Sequence, residues 1–297
     1  NGTLDLDSTL TIEANGTLSA PRGNLDLSNS GGALAFHSNA TVPETQFIHN
    51  NGTVLLEPLD ASGCKIFGSN TNNGTVFYNL TCAASESEYI VTISEKMVVE
   101  NHMDMNAKGR VYGDIRFGIA TATTAAEGGT VNTGPRLQLY GGDLLGLSTI
   151  YPCVFSGDGI DHVQTSVSYN IANLDWSAFT YVPNNNPTTT LTGDMKFAAV
   201  TISAGDTLDL NGQRMECSGV LTNNGTVDFD VSGGLKSMLV CHADIDLDAT
   251  VTNPNLGTIV MKNVNNKDAT LPDLTYGGFH ILGSNEVEVV GGANLGT

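Results

Sequence analysis

Between Val200 and Asp230 the apolar residues recur in steps of two. Val200 and Ile202 form one pair, Leu208 and Leu210 a second, Met215 and Cys217 a third, Val220 and Thr222 a fourth, Val227 and Phe229 a fifth. Polar residues stand between the members of each pair, which is the alternation of a strand with one buried face. Ala204-Gly205-Asp206, Asn211-Gly212 and Asn223-Asn224-Gly225 punctuate the pairs with tight-turn chemistry. The register repeats after about a score of residues, twenty from Val200 to Val220 and nineteen from Leu208 to Val227. Three short strands per repeat predict a coil with three faces. Such coils bury their inward side chains only by stacking into a β-solenoid.

The same grammar fills residues 1–82. Leu4/Leu6, Leu10/Ile12 and Leu25/Leu27 are spaced two apart, with corners at Asn15-Gly16-Thr17 and Pro21-Arg22-Gly23. An Asn-Asn-Gly-Thr-Val core occurs at 50–54, 72–76 and 223–227. Asn-Gly suits positive φ, so each copy marks a corner. Residues 83–193 are less regular. Tyr89–Val99 and Gly109–Ile119 still alternate, Thr121–Gly129 reads as a loop, and Pro183-Asn184-Asn185-Asn186-Pro187 is a breaker. Rungs resume to Thr297, and no stretch reads as a long amphipathic helix. The expected fold is all-β: a right-handed parallel β-solenoid in segments 1–82 and 194–297, with an irregular β insertion over 83–193. The chain opens inside a turn and stops at what looks like a new rung, which predicts an excerpt of a longer polypeptide.

Composition agrees with this reading. Hydrophobic residues make up 40% of the chain, enough for a core, while charged residues are only 14%; Gly, Asn, Thr, Ser and Asp solubilise it instead. The formal charge of −19, with 12 Lys plus Arg, makes nucleic acid a poor partner, since phosphates need clustered cations. It disfavours anionic membrane surfaces equally, and no apolar run is long enough for a membrane span. Cys64, Cys82, Cys153, Cys217 and Cys241 include no CxxC pair. Cys217 and Cys241 fall at inward positions, so buried thiols are expected rather than a disulfide framework.

Few residues suggest chemistry. Gly157-Asp158-Gly159-Ile160-Asp161 follows part of a calcium-binding β-roll pattern once, whereas the motif works in tandem. A plain turn explains it; were Ca²⁺ bound, Asp158 and Asp161 are the candidate ligands, and no other cofactor is expected. Tyr169, Trp176, Phe179 and Tyr181 cluster beside the Asn-rich breaker. Exposed, Tyr169, Trp176 and Tyr181 would stack on the C–H faces of a glycan; buried, they are core. Carboxylate pairs such as Asp143/Asp158 or Asp206/Asp209 could be drawn as a glycosidase acid and base, but that chemistry needs a defined separation that sequence does not supply. The six histidines show no zinc spacing, and no nucleophile elbow, P-loop or dinucleotide fingerprint occurs. Of seven Asn-x-Ser/Thr sequons, five are Asn-Gly-Thr, which turn chemistry already explains.

Residues 207–213 (TLDLNGQ) and 218–227 (SGVLTNNGTV) resemble the repetitive rungs of virion fibre and tail-associated proteins of marine bacteriophages. Residues 49–54 (HNNGTV) and 75–81 (TVFYNLT) resemble the same family, and also repetitive bacterial surface adhesins. The likeness covers residues 1–82 and 195–230 best. It implies a non-enzymatic structural virion protein: a fibre, tail or capsid appendage on the virion surface, contacting the host, for which a surface glycan is the candidate ligand. It also implies a homo-oligomer, a trimer as the first expectation, bound to other virion structural proteins. It supplies no catalytic residues. The alternatives are a cell-surface adhesin or surface-layer protein, and a tailspike-like β-helix that cleaves polysaccharide.

Overall fold

The computed structural model of the chain describes residues 2–6, 10–12, 16–28, 33–36, 47–57, 64–67, 75–83, 90–94, 96–105, 108–133, 137–140, 142–157, 160–162, 169–178, 180–182, 188–231, 234–262, 267–282, 287–291 and 294–295. The protein is a parallel β-solenoid, and among the described residues there is no α-helix. It divides into two compact units, Asn1–Ile160 and Asp161–Thr297. The divisions expected near residues 83 and 194 do not coincide with this one.

In the second unit each rung has three sides. The first ladder stacks Thr188–Leu191, Thr207–Asp209, Thr226–Asp228 and Thr250–Thr252. The second runs through Leu174–Trp176, Met195–Phe197, Arg214–Cys217, Ser237–Cys241, Gly257–Lys262 and Gly278–Leu282. The third holds Val200–Ile202, Leu221–Asn223, Ile245–Asp246, Lys267–Thr270 and Val287–Val290. Neighbouring strands are parallel and, at about 4.8 Å, bring equivalent side chains into contact. Leu208 thus lies on Val227, Met215 on Leu239 and Leu239 on Ile259, all of them buried.

One pair is displaced from its expected register. Val200 pairs with Leu221, not Val220. Leu221 is 0% exposed and Asn223 is buried, while Val220 is 44% exposed. A strand has period two, so a one-residue slip exchanges its faces. The β-branched Val220 satisfies the pattern by eye, but Leu221 continues to Ile245 in the next rung and fills the interior.

Corners use two kinds of chemistry. Asn211 and Gly212 both have positive φ, 44° and 74°, as an Asn-Gly turn requires. Gly225 does not; there a Cβ would strike the carbonyl oxygens of Ser203 and Asp206 in the preceding rung. Its glycine serves close stacking rather than an unusual dihedral. The asparagines sew rungs together. Asn211 Nδ2 donates to the Leu191 carbonyl at 3.0 Å, and Asn223 Nδ2 to that of Thr250 at 3.0 Å. A high Asn content therefore satisfies corner backbone groups that no strand reaches.

In the first unit, Leu4–Asp5, Asn24–Ser28, Thr53–Glu57, Thr75–Cys82 and Met97–Met105 form one ladder. Leu10–Ile12, Ala33–Phe36, Cys64–Phe67, Ile90–Ser94, Lys108–Val111 and Leu137–Leu139 form another. Thr53 pairs with Asn79, so the two Asn-Gly-Thr-Val copies in this unit do not lie over one another. The nine-residue strand Met97–Met105 carries two strands on its far side, Ile115–Phe117 and Thr130–Asn132. These continue to Leu144–Gly146 and Cys153–Ser156. Between them a 3-10 turn, Ala125–Gly128, is tied down by Glu127, whose carboxylate accepts from the Thr123 and Thr124 amides. Those bonds hold the Glu127 carboxyl below its usual pKa.

Candidate binding surface

The sequence-derived site residues fall as follows. Asp158 lies outside the described residues; Asp161 lies in the short strand Ile160–His162, of which only the backbone is described. Phe179 is also outside them, and Tyr169 opens the strand Tyr169–Ala172. Trp176 and Tyr181 are 0% and 1% exposed, so neither offers a ring face to a glycan. Their rings pack 5.1 Å apart and both lie against Phe197, at 5.5 and 5.1 Å. The Tyr181 hydroxyl is satisfied inside by Thr189 Oγ1 at 2.7 Å. The cause is parity: Leu174 faces inward, and Trp176, two residues on, must follow it. Asp206 is buried at a corner, whereas Asp209 is partly exposed on a strand.

An aromatic ladder does reach solvent in the first unit. Val111 and Leu139 are paired inward residues, so the next residues, Tyr112 and Tyr140, turn outward. The Tyr112 amide donates to Ile93 O at 2.9 Å and the Tyr140 amide to Val111 O at 2.8 Å, which places the two tyrosines in equivalent positions one rung apart. Their rings stack with centroids 4.7 Å apart and planes at 21°. Tyr112 is 46% exposed. Arg110, on the same outward row as Tyr112, sets its guanidinium carbon 5.8 Å from the Tyr140 ring centre, within reach of a cation–π contact. Its Nε is buried without a hydrogen-bond partner. Gln138 lies beside Arg110 in register.

Below the rings the two rungs lock together. Asp114 Oδ1 accepts from the Asp143 amide at 3.0 Å, and Lys96 pairs with Asp114 at 3.4 Å. Gly142 has a φ of 82° and lies against Gly113. The ladder was available in the sequence as Val-Tyr-Gly-Asp at 111–114 and Leu-Tyr-Gly-Gly-Asp at 139–143. Its signal is an aromatic residue one step, not two, after an inward apolar residue.

A second polar surface in this unit surrounds His49. A cavity of about 420 Å³ is lined by Phe47, Ile48, His49, Asn50 and Val76. His49 Nδ1 accepts from the Asn51 amide at 3.0 Å, so the ring proton sits on Nε2, 3.4 Å from Glu100. The imidazole stacks on Tyr78 at 5.7 Å. Beside it Asn101 donates to Asn79 at 2.7 Å, and Asn79 to Thr53 at 3.3 Å. These contacts hold three rungs side by side and leave His49 a structural partner in Glu100.

In the second unit Glu216 receives Arg214 on one oxygen at 2.5 Å and His242 on the other at 2.8 Å. Partial burial alone would raise this carboxyl; the His242 bond and the Arg214 charge outweigh it, and its pKa lies below the usual range. Asp209 shifts the other way. Burial, and then the neighbouring Asp228 and Asp230, raise it despite its bond from the Asn211 amide.

Cys82, Cys153, Cys217 and Cys241 are buried, and the last three carry free thiols. Cys217 and Cys241 stack in register. Burial pushes the Cys241 thiol up to about 12 and Cys217 well above the ordinary value, so both behave as small apolar side chains. Among the described residues no group of three or more His, Cys, Asp or Glu is placed to hold a metal ion. No helix among the described residues is long and apolar enough to cross a membrane. Compared with protein-family models, curated proteins and solved structures, the chain matches none.

Proposed function

We propose that this chain is a non-enzymatic structural segment of a virion appendage, a fibre, tail or capsid decoration, that touches the host surface. The observation that carries the reading is the continuity of the ladders. In each unit successive described rungs pair in parallel, and side-chain amides bridge the corners, as at Asn211 and Asn223. Backbone hydrogen bonds then run from rung to rung, so a stack resists bending and proteolysis. That is the mechanical property a spacer needs. Rung ends carry unpaired backbone groups that must be covered. A homo-oligomer, with a trimer as the first case, and neighbouring virion proteins supply that cover in this proposal.

Immunogold electron microscopy of native material, with an antibody against this chain, tests the placement. Label at regular positions on a capsid or tail is expected. Label confined to a cell envelope or to free filaments would replace the virion reading with the adhesin or surface-layer one. Native mass spectrometry tests the assembly; a stable monomer would remove the trimer.

A further inference from the structure

We infer that the outward surface of Tyr112, Tyr140 and Arg110 is a binding site for an acidic polysaccharide; this names the ligand class for the host-contact role proposed above. Three observations converge on it. The first is the exposed ring stack itself. Tyr112 turns one face to Tyr140 and is 46% exposed, an apolar plate with a polar hydroxyl edge. Such a plate suits the C–H face of a pyranose, while ring hydroxyls meet hydrogen-bonding groups at the rim. Gln138 and the phenol oxygens supply that rim.

The second is charge. The chain is strongly acidic, yet residues 96–140 carry five cations (Lys96, Lys108, Arg110, Arg116 and Arg136) against four carboxylates, where the remainder carries seven against 27. The aromatic ladder therefore lies in a segment of net charge +1, five cations against four carboxylates, in a chain of net charge −19. A polyanion meets less repulsion there than on the acidic bulk of the chain.

The third is the state of Arg110. Lys96 is spent on Asp114, but Arg110 makes no ion pair among the described residues and rests against an aromatic ring. A guanidinium held this way is oriented and keeps its charge available, and it binds carboxylate or sulfate in a two-point fork. Adjacent rungs about 4.8 Å apart present the edges of the stacked Tyr112 and Tyr140 rings in line, so an extended chain can meet both phenol edges.

Isothermal titration of the whole chain with alginate oligosaccharides, heparin oligosaccharides and neutral dextran tests the inference. Binding to at least one acidic saccharide and not to dextran is expected, and it should weaken as salt rises. Tyr112→Ala and Arg110→Gln should each weaken it by at least about fivefold, Tyr112→Phe should keep most of it, and Leu235→Ala, at an exposed position outside the cationic segment, should not change it. Circular dichroism melts of each variant confirm that the fold is retained. Binding to none of these saccharides overturns the inference, as does equal binding to dextran, or unchanged binding by both the Tyr112 and Arg110 variants. The titration is made in solution and is blind to where the chain sits in an assembly. Its failure leaves the virion placement to microscopy, and failure of that placement leaves the saccharide site intact.

Discussion

Each unit carries an aromatic cluster, and the two have opposite fates. Trp176, Tyr181 and Phe197 are packed inside the second unit with almost no exposure. Tyr112 and Tyr140 stack on the outside of the first. The residue types are alike and both clusters sit near turns. What separates them is one step of chain: Trp176 is two residues from inward Leu174, Tyr112 one residue from inward Val111. Whether an aromatic residue is core or contact surface is decided by the parity of its strand.

The largest effect expected from this contrast is on stability. Trp176→Ala should cost about 3–5 kcal/mol, the range for deleting a buried indole, whereas Tyr112→Ala should cost about 1 kcal/mol or less, the worth of an exposed aromatic pair. Urea titrations of both variants followed by circular dichroism would show it. Equal losses would mean that the Tyr112 ring is as much core as Trp176, and the contrast between the clusters would fail.

A single step of register decides the next case too. Leu221→Ala should cost about 2–5 kcal/mol, while Val220→Ala should fall within about 0.5 kcal/mol of wild type. If Val220 proved the costlier, the pairing of Val200 with Leu221 would be wrong by one residue and every outward assignment in that strand with it.

These two cases mark what could be read from the chain. The three-sided rung was legible because Leu208, Met215 and Val227 recur against turn residues at nearly constant spacing. The register of Leu221–Asn223 was not, because Val220-Leu221-Thr222 offers an apolar residue to either face; only stacking on Ile245 chooses between them. The two-sided use of Met97–Met105 was hidden for a related reason. Its pairing with both Ile115–Phe117 and Thr130–Asn132 is a long-range event, and nothing local announces it. The aromatic site was only half visible. Composition drew attention to Trp176, the sole tryptophan, when parity would have pointed to Tyr112 and Tyr140.

Corner glycines distinguish dihedral need from stacking need. Gly225→Ala should cost about 1–3 kcal/mol by overpacking, because its Cβ meets two carbonyl oxygens of the rung before it. The spacing of those rungs is fixed by backbone hydrogen bonds on either side, among them Thr226 N to Asp206 O at 2.9 Å, so there is little room to yield. A thermal melt of Gly225→Ala matching wild type would mean that rungs slide apart locally, and the continuity on which the spacer role rests would be weaker than the ladders indicate.

The smallest effect is electrostatic, and it sets Asp209 against Glu216. Glu216 has a lowered pKa, so its contribution is present above the unfolded carboxyl value, about 4.3, and is lost as pH falls through the lower folded value. Asp209 has a raised pKa in the folded chain, so it binds a proton more readily folded than unfolded. Its charge opposes folding at neutral pH, and the penalty is relieved as pH falls through the raised value. Asp209→Asn keeps an acceptor for the Asn211 amide and removes the charge that faces Asp228 and Asp230. It should raise Tm slightly at pH 7, and the gain should vanish on acidification through the Asp209 titration. Glu216→Gln should do the reverse, lowering Tm at pH 7 through a stability loss in the range of partly exposed ion pairs, about 1 kcal/mol or less, with the difference disappearing in acid. Melting curves of both variants between pH 7 and pH 3 would show two traces converging on wild type from opposite sides. A Tm for Asp209→Asn below wild type at pH 7 would mean that the carboxylate's bond to the Asn211 turn outweighs its crowding by neighbouring charge, and that the acidic face of this ladder is a stabilising feature of the rung.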